Sequence, residues 1–189
     1  MSKDDNIKFE SREQITESLR TKRDLSGADL SDLDLSGIKL TGLKMEGANL
    51  GETNLENAVL AANNMAEINL AAAQINEAQI AAANMRSANL KGAQLRSTKI
   101  TAVNLENADL TEADLTGSRM FAVNVSGADF SDAKTTGAQA SGVDWSEAKV
   151  PPAEIPEPIP VPPWIPALLA GIGLVFIAGI ILARKRRKT

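Results

Sequence analysis

Apolar residues recur at every fifth position from Leu25 to Met120, without an insertion or a deletion. The position two residues before most of them holds a small or apolar residue, most often alanine, and the position one before is usually Asn, Asp or Gln. Neither the two-residue period of a strand nor the 3.6-residue period of a helix matches this spacing. The pattern predicts an internal repeat in which each five-residue unit forms one side of a polygonal coil. The central apolar residue and the small residue two earlier point inward, and the other three positions face solvent.

The units that begin at Ala28, Ala48 and Ala108 read ADLSD, ANLGE and ADLTE. They match the motif A(D/N)LXX, and residues 23–150 as a whole resemble the pentapeptide-repeat family. The resemblance implies an all-β solenoid, namely a right-handed quadrilateral β-helix with four units per coil and about six and a half coils. With neighbouring coils about 4.8 Å apart, the rod is about 30 Å long.

The last units depart from the motif. Thr135 and Ala140 replace large central residues, and Trp145 is larger than any central residue before it. We therefore expect a looser, irregular last coil.

Four units per coil place residues twenty positions apart on the same face. The face that we call the acidic face is centred on Leu30, Leu50, Leu70, Leu90, Leu110 and Phe130. Its outward acids are Asp29, Asp32, Glu52, Asp109, Glu112, Asp129 and Asp132. The face that we call the acid-free face is centred on Leu40, Leu60, Ile80, Ile100 and Met120. Its candidate binding residues are Lys39, Val59, Ala61, Ala81, Lys99, Arg119 and Phe121.

The acid-free face is predicted to be a contact surface, because contiguous exposed apolar residues usually mark an interaction site. The predicted partner is a protein, another copy of the chain, or a membrane. The alternative interpretation is that the outward alanines only fill solvated positions.

Residues 1–22 are predicted to cap the N-terminal end of the solenoid, since an open β-solenoid exposes unpaired edges. Ser11 and Gln14 form a capping box, and Ile15 and Leu19 share one face at helical spacing. These features indicate a short capping helix. A disordered leader is the alternative.

Residues 151–166 contain all eight prolines of the chain. So many prolines favour a polyproline II conformation over a helix or a sheet. At about 3.1 Å per residue, the segment predicts a semi-rigid linker of up to about 50 Å.

Residues 167–183 contain no charged or polar side chain. With the two residues before Pro166 they reach the ~20 residues that a helix needs to cross a bilayer. The flanking residues fit a membrane interface, with an aromatic residue on one side and a basic tail at 184–189 on the other. The interfacial residues are Trp164, Arg184, Lys185, Arg186, Arg187 and Lys188. The sequence therefore predicts a single-pass membrane protein whose lipid contacts lie near its C-terminus.

The sequence leaves two possible topologies, with the rod on either side of the membrane. The positive-inside rule places the basic tail in the cytoplasm and the rod outside. No segment at the N-terminus resembles a signal peptide, however, which favours a tail-anchored protein with a cytoplasmic rod. We expect the cytoplasmic arrangement.

The composition argues against catalysis. The chain lacks cysteine, histidine and tyrosine, and its carboxylates lie on convex faces without a pocket to perturb their pKa values. Met45, Met65 and Met85 are predicted to fill the core rather than bind a metal. We expect no enzyme activity and no cofactor, and the net charge of about −7 over residues 23–150 argues against nucleic-acid binding.

The predicted function is thus a non-catalytic, membrane-anchored scaffold or adaptor for protein–protein interaction. The resemblance implies one alternative, because some pentapeptide-repeat proteins mimic duplex DNA and bind type II topoisomerases. The acidic faces fit that role loosely, whereas a membrane anchor does not. A third possibility is an effector protein inserted into a host membrane.

Overall fold

The computed structural model describes residues 7–159. They form an all-parallel β-solenoid of about six turns with one short helix at its start. Helix α1 spans Arg12–Thr21. Strands β1 to β6 are Lys39–Thr41, Val59–Ala61, Gln79–Ala81, Lys99–Thr101, Arg119–Phe121 and Gln139–Ser141. A 3₁₀ helix at Trp145–Glu147 and strand β7 at Glu157–Pro158 follow.

The strand register confirms the predicted turn length. Leu40 pairs with Leu60, and Leu60 pairs with Ile80, always between parallel strands. The same spacing holds on the other faces, where single residues form parallel bridges, such as Asp29 with Asn49. Each turn therefore consists of four five-residue units, and the seven strands form one sheet in chain order.

The core contains the residues that the repeat points inward. The central residues Leu30, Leu50 and Leu70 are essentially inaccessible to solvent, and so are the alanines two positions before central residues, such as Ala48 and Ala58. Most units place one large and one small side chain in the close-packed interior, whereas units such as Leu43–Met45 and Ile68–Leu70 bury two large ones. Met45, Met65 and Met85 stack in the same buried core.

Polar residues that replace inward alanines bond to the backbone of the preceding turn. The Thr53 hydroxyl donates to the Leu30 carbonyl at 3.0 Å, and the Thr98 hydroxyl donates to the Ile75 carbonyl at 2.7 Å. These two hydroxyls are thereby satisfied, as burial favours, whereas the buried Ser118 hydroxyl has no hydrogen-bond partner among the described residues.

The N-terminal end carries the helical cap. The Ser11 hydroxyl accepts the Gln14 N–H at 3.3 Å, and the Gln14 side chain accepts the Glu10 N–H at 2.8 Å. Ile15 is fully buried in the solenoid core. The backbone before the helix also joins the first turn, since the Phe9 N–H donates to the Asp29 carbonyl at 2.9 Å.

The register slips in the last turn. Asp129 pairs with Val150 rather than with Lys149, and Gln139 pairs with Glu157. The Trp145 ring meets the Phe130 ring edge-on, with centroids 5.4 Å apart. The side chain is too large for the interior, so the chain turns into the 3₁₀ helix and the regular coil ends there.

The first half of the proline-rich segment differs from the predicted linker. Residues 151–158 stay on the solenoid, where Pro152 and Pro156 are buried and the Glu157 N–H donates to the Ala138 carbonyl at 3.1 Å. The Thr135 hydroxyl donates to the Glu154 carbonyl. Proline suits this position because an edge strand leaves half of its N–H groups unused. The segment therefore covers the C-terminal edge of the sheet.

Across residues 7–159, no helix combines the length and the apolar character needed to cross a membrane. The predicted span at 167–183, its flanking Trp164 and the basic tail at 184–189 lie outside the described residues.

A candidate binding surface on the acid-free face

Strands β1 to β6 form the acid-free face. On this face three consecutive residues of every turn are extended, whereas the other faces have one bridged residue followed by a turn. Those turns are often held by the residue before the centre: the Asp29 side chain accepts the Ser31 N–H at 3.1 Å, and the Asn54 side chain accepts the Glu56 N–H at 3.0 Å. Such bonds favour turns over strands. On the acid-free face no Asn or Asp occupies that position, and a flat parallel sheet results.

The strand register aligns the residues after the centres in one row. Ala61, Ala81, Thr101, Phe121 and Ser141 are neighbours in this row. Phe121 is 53% exposed, whereas Ala61 and Ala81 are half-buried. The phenyl ring therefore projects from a floor of small side chains. It is one of only three large apolar side chains that are exposed within residues 7–159.

The corner beside this row is also free of long side chains. Ala62, Ala82, Ala102 and Ala122 adopt positive φ there, between glycines at positions 42 and 142. Positive φ alone does not require small residues, since Glu52 has the same conformation on another corner. The alanines and glycines thus extend the flat surface beyond the strands.

The row before the centres carries the positive charge. Lys39, Lys99 and Arg119 are exposed, and within the described part of the chain none of them forms an ion pair. The cations of the acidic face differ: Lys91 approaches Glu112 at 3.4 Å. The charges of the acid-free face are therefore available to a partner.

All seven candidate residues lie together on β1 to β5, with Lys39 at one end and Arg119 and Phe121 near the other. The sequence prediction omitted Gln79 and Thr101, which complete the two rows. The register of twenty residues would have identified them.

The acidic face is organised differently, by a ladder of side-chain hydrogen bonds. The Asn49 amide donates to Asp29 Oδ1 at 2.9 Å, the Asn69 amide donates to Asn49 Oδ1 at 2.7 Å, and the Asn89 amide donates to Asn69 Oδ1 at 3.0 Å. The ladder joins four turns of the solenoid, and Asp29 at its start is its only carboxylate.

Hydrogen bonds lower the pKa of two carboxylates of the acidic face, Asp29 and Asp129. The Ser131 hydroxyl and N–H, together with Lys149, lower the pKa of Asp129 to about 2. The Ser31 hydroxyl and N–H likewise lower the pKa of Asp29. Asp29 and Asp129 therefore keep their negative charge in mildly acidic solution.

An open groove of ≈ 330 Å³ borders the acid-free face at its C-terminal end, between Ala122, Gly142 and Asp144. Within residues 7–159, no cluster of three or more acidic side chains is placed to hold a metal ion.

The model of the pentapeptide repeats matches residues 24–57, 38–73, 64–101 and 98–137 in eight copies. The chain belongs to the pentapeptide-repeat family. Families of this kind are generally structural repeat proteins rather than enzymes.

Solved pentapeptide-repeat structures resemble this solenoid. HetL, involved in heterocyst differentiation regulation in the cyanobacterium Nostoc sp. strain PCC 7120, is 21% identical, with 71% of this chain and 81% of HetL covered and a TM-score of 0.40. QnrB1, a plasmid-mediated fluoroquinolone resistance protein, is 19% identical, with coverages of 76% and 82% and a TM-score of 0.38. Rfr23 of the cyanobacterium Cyanothece 51142 is 20% identical, with coverages of 71% and 99% and a TM-score of 0.37. Among curated proteins, none matches this sequence.

Proposed function

We propose that this pentapeptide-repeat protein is a non-catalytic, membrane-anchored scaffold whose right-handed solenoid binds a protein partner through its acid-free face. The observation that carries the proposal is Phe121, which is 53% exposed on a flat sheet. Its neighbours in the row, Thr101 and Ser141, are too small to cover it.

The energetics favour a contact at this position. Burying a phenylalanine side chain contributes about 1.5–3 kcal/mol, and aromatic residues surrounded by small, well-packed neighbours are common centres of binding energy. The cations at Lys99 and Arg119 lie beside the ring on β4 and β5. They favour a partner that presents carboxylates around an apolar centre.

The anchoring part of the proposal rests on residues 167–183, whose uninterrupted apolar sequence is followed by five cations. A soluble helix rarely has apolar side chains on every side. The rod is proposed to lie in the cytoplasm, because that topology needs no export of the solenoid.

Site-specific photo-crosslinking in cells tests the contact. A photoreactive phenylalanine analogue is placed at Ala81 or Phe121 of the full-length chain, and at Ala66 as the control. Ala66 occupies the same position of its unit on a neighbouring face and is half-buried like Ala81. We expect protein adducts from Ala81 and Phe121 and none from Ala66.

The double substitution Ala81→Glu and Phe121→Glu should remove the adducts, because it places two carboxylates on the contact surface. Adducts of equal yield at all three positions, or at none, would contradict a specific contact through this face. Circular dichroism of the double variant checks that the solenoid remains folded.

A further inference from the structure

We propose that the partner of the acid-free face is the acidic face of a second copy of this chain, so that the rods associate side by side in parallel. The inference rests on the proposed function and names its partner. It follows from the arrangement of the two faces on one solenoid.

The two faces lie on opposite sides of the coil. Leu30 is the centre of a unit on the acidic face, Leu35 is the centre of the next unit, and Leu40 is the centre of the unit after that, on the acid-free face. With four units per turn, units two steps apart are on opposite sides. One copy therefore presents both surfaces at once, and the contact is heterologous.

The charges of the two faces are complementary in the first and the fifth turn. Lys39 belongs to the same turn as Asp29 and Asp32, and Arg119 belongs to the same turn as Asp109 and Glu112. In both cases the cation follows the acids on the opposite side of the rod. When two parallel rods lie side by side at the same height, Lys39 faces Asp32 and Arg119 faces Glu112 of the neighbouring copy.

The third turn separates these charged ends and carries no charge on either face. It has Gln79, Ala81 and Ala82 on the acid-free face. On the acidic face it has Asn69, Ala71 and Ala72. Two surfaces of small residues approach closely without leaving a charge unpaired.

The fourth turn places Lys91 on the acidic face and Lys99 on the acid-free face. Lys91 is already paired with Glu112 at 3.4 Å, so its charge is partly compensated. Because the chain crosses opposite faces of the coil in opposite directions, the fifth turn then places Arg119 opposite Thr111 and Glu112 of the neighbour and Phe121 opposite Asp109, which is half-buried.

Pairing of two acid-free faces is electrostatically unfavourable. It would bring the three cations of each copy onto one interface without an acid from β1 to β6. Like charges on opposing surfaces select against such a pair. The electrostatics thus favour the heterologous contact, which repeats and builds an open row of rods.

The size of the surface makes each contact weak. Six strands about 4.8 Å apart and three residues long form a sheet of about 25 Å by 10 Å. Stable interfaces bury about 800 Å² per partner. Anchoring in one bilayer compensates, because it raises the effective concentration of neighbours and gives all rods the same orientation.

Cysteine cross-linking tests the arrangement, since the chain has no native cysteine. Ala71→Cys and Ala81→Cys are combined in one full-length chain in membranes of the expressing cells, and a short bis-maleimide is added. A heterologous row gives a ladder of dimers, trimers and larger species. The control combines Ala66→Cys with Ala81→Cys, which places one thiol on a neighbouring face and should give no ladder.

The single variants distinguish the two modes of association. Ala81→Cys alone should give no dimer, whereas a mixture of Ala71→Cys chains and Ala81→Cys chains should give dimers only. A dimer from Ala81→Cys alone would overturn the inference in favour of pairing between acid-free faces.

Charge reversal provides a second test. Lys39→Glu with Arg119→Glu should reduce the ladder about tenfold. Mixing these chains with chains carrying Asp32→Lys and Glu112→Lys, each with one of the two cysteines, should restore the cross-link between them. Failure of the ladder in the unreversed chain would overturn the inference.

The failures of the two proposals are distinguishable. If the photoreactive residue at position 81 forms adducts with another protein but the cysteine variants give no ladder, the second copy is ruled out as the partner and the scaffold function stands. Absence of both adducts and ladder would remove both.

Discussion

The side-chain amide of Asn69 donates a 2.7 Å hydrogen bond to Oδ1 of Asn49, one full turn earlier in the solenoid. Oδ1 of Asn69 accepts the Asn89 amide at 3.0 Å and also the Ala71 N–H at 3.2 Å. The Asn69 side chain therefore links three consecutive turns of the solenoid, and it also stabilises the tight turn that follows Leu70. The repeat thus stabilises itself on its surface as well as in its core.

Asn69→Ala should lower the free energy of unfolding by about 1–2 kcal/mol, because partly exposed hydrogen bonds contribute about 0.5–1.5 kcal/mol each. Gln74→Ala is the matched control. Gln74 occupies the same position on the next face, and its side chain makes no hydrogen bond to another residue in the described range. Urea denaturation followed by circular dichroism measures both variants. Equal losses would show that the ladder contributes nothing specific.

Met45, Met65 and Met85 are the central residues of their units, and their side chains are buried. Met65→Leu should change the stability by less than about 1.5 kcal/mol, whereas Met65→Ala should lower it by about 2–5 kcal/mol through the cavity that it leaves. Thermal denaturation with and without copper(I) checks the prediction. A rise of the melting temperature with copper in the wild type but not in Met65→Leu would point to a metal site instead.

Asp129 links stability to pH. Its pKa is lowered to about 2 by the Ser131 hydroxyl and N–H and by Lys149, below the value of about 3.9 in an unfolded chain. A carboxylate with a lowered pKa stabilises the fold above the unfolded value, and this contribution is lost as the pH falls from about 4 to about 2. Asp129→Asn should therefore weaken the pH dependence of the melting temperature in that window.

The control for Asp129→Asn is Asp132→Asn, which removes an exposed charge from the same turn. Melting temperatures between pH 2 and pH 6 are compared for the three proteins. An identical change in both variants would attribute the effect to net charge rather than to the bonds of Asp129.

Ile15 joins the capping helix to the core. Ile15→Asp should release the helix, because a carboxylate cannot be buried there without a partner. Native-state hydrogen exchange should then lose protection at the Leu25 amide, which bonds to the Lys44 carbonyl at 2.7 Å, and keep it at the Leu110 amide. Glu13→Ala, an exposed substitution on the same helix, is the control. Unchanged protection at Leu25 would argue against a capping role.

The proposed membrane anchor predicts that the full-length chain stays with the membrane fraction after alkaline extraction. Phe176→Arg should reduce this retention, because an arginine at the centre of a span costs about 2.5–3.5 kcal/mol. Phe176→Leu is the control. A reporter that is active only outside the cytoplasm should be inactive at the N-terminus and active at the C-terminus. The reverse result would place the rod outside.

The regular turns could be predicted from the residue types at two positions of each five-residue unit, the centre and the position two residues before it. A centre such as Leu50 and the alanine two residues before it have one way to be buried together, so the period predicts the five-residue unit, whereas the four units per coil were implied by the resemblance to the pentapeptide-repeat family. The acid-free face could be assembled in the same way, because residues of one face follow from the period once the turn is known to hold four units. The flat, extended backbone of that face was a structural result, although the absence of Asn and Asp before its centres is a sequence signal for it.

The two ends were harder to predict. The N-terminal helix could be predicted, because Ser11 and Gln14 form a local capping signal. At the other end, the prolines suggested an extended linker. The structure instead places Pro152 and Pro156 in contact with the last turn, because the unpaired edge of β6 gives them a surface to cover. Local conformation does not reveal such a long-range contact.

By itself, the sequence determined the five-residue unit and the alternation of buried and exposed positions within it, since both depend on periodicity along one chain. The segregation of charge between opposite faces also depends on four units per turn, which the family resemblance implied and the strand register confirmed. Only the tertiary structure decided where the regular coil ends. The slip from Lys149 to Val150 and the return of Glu157–Pro158 to the sheet depend on the size of Trp145 and on an edge that exists only once the turns are stacked.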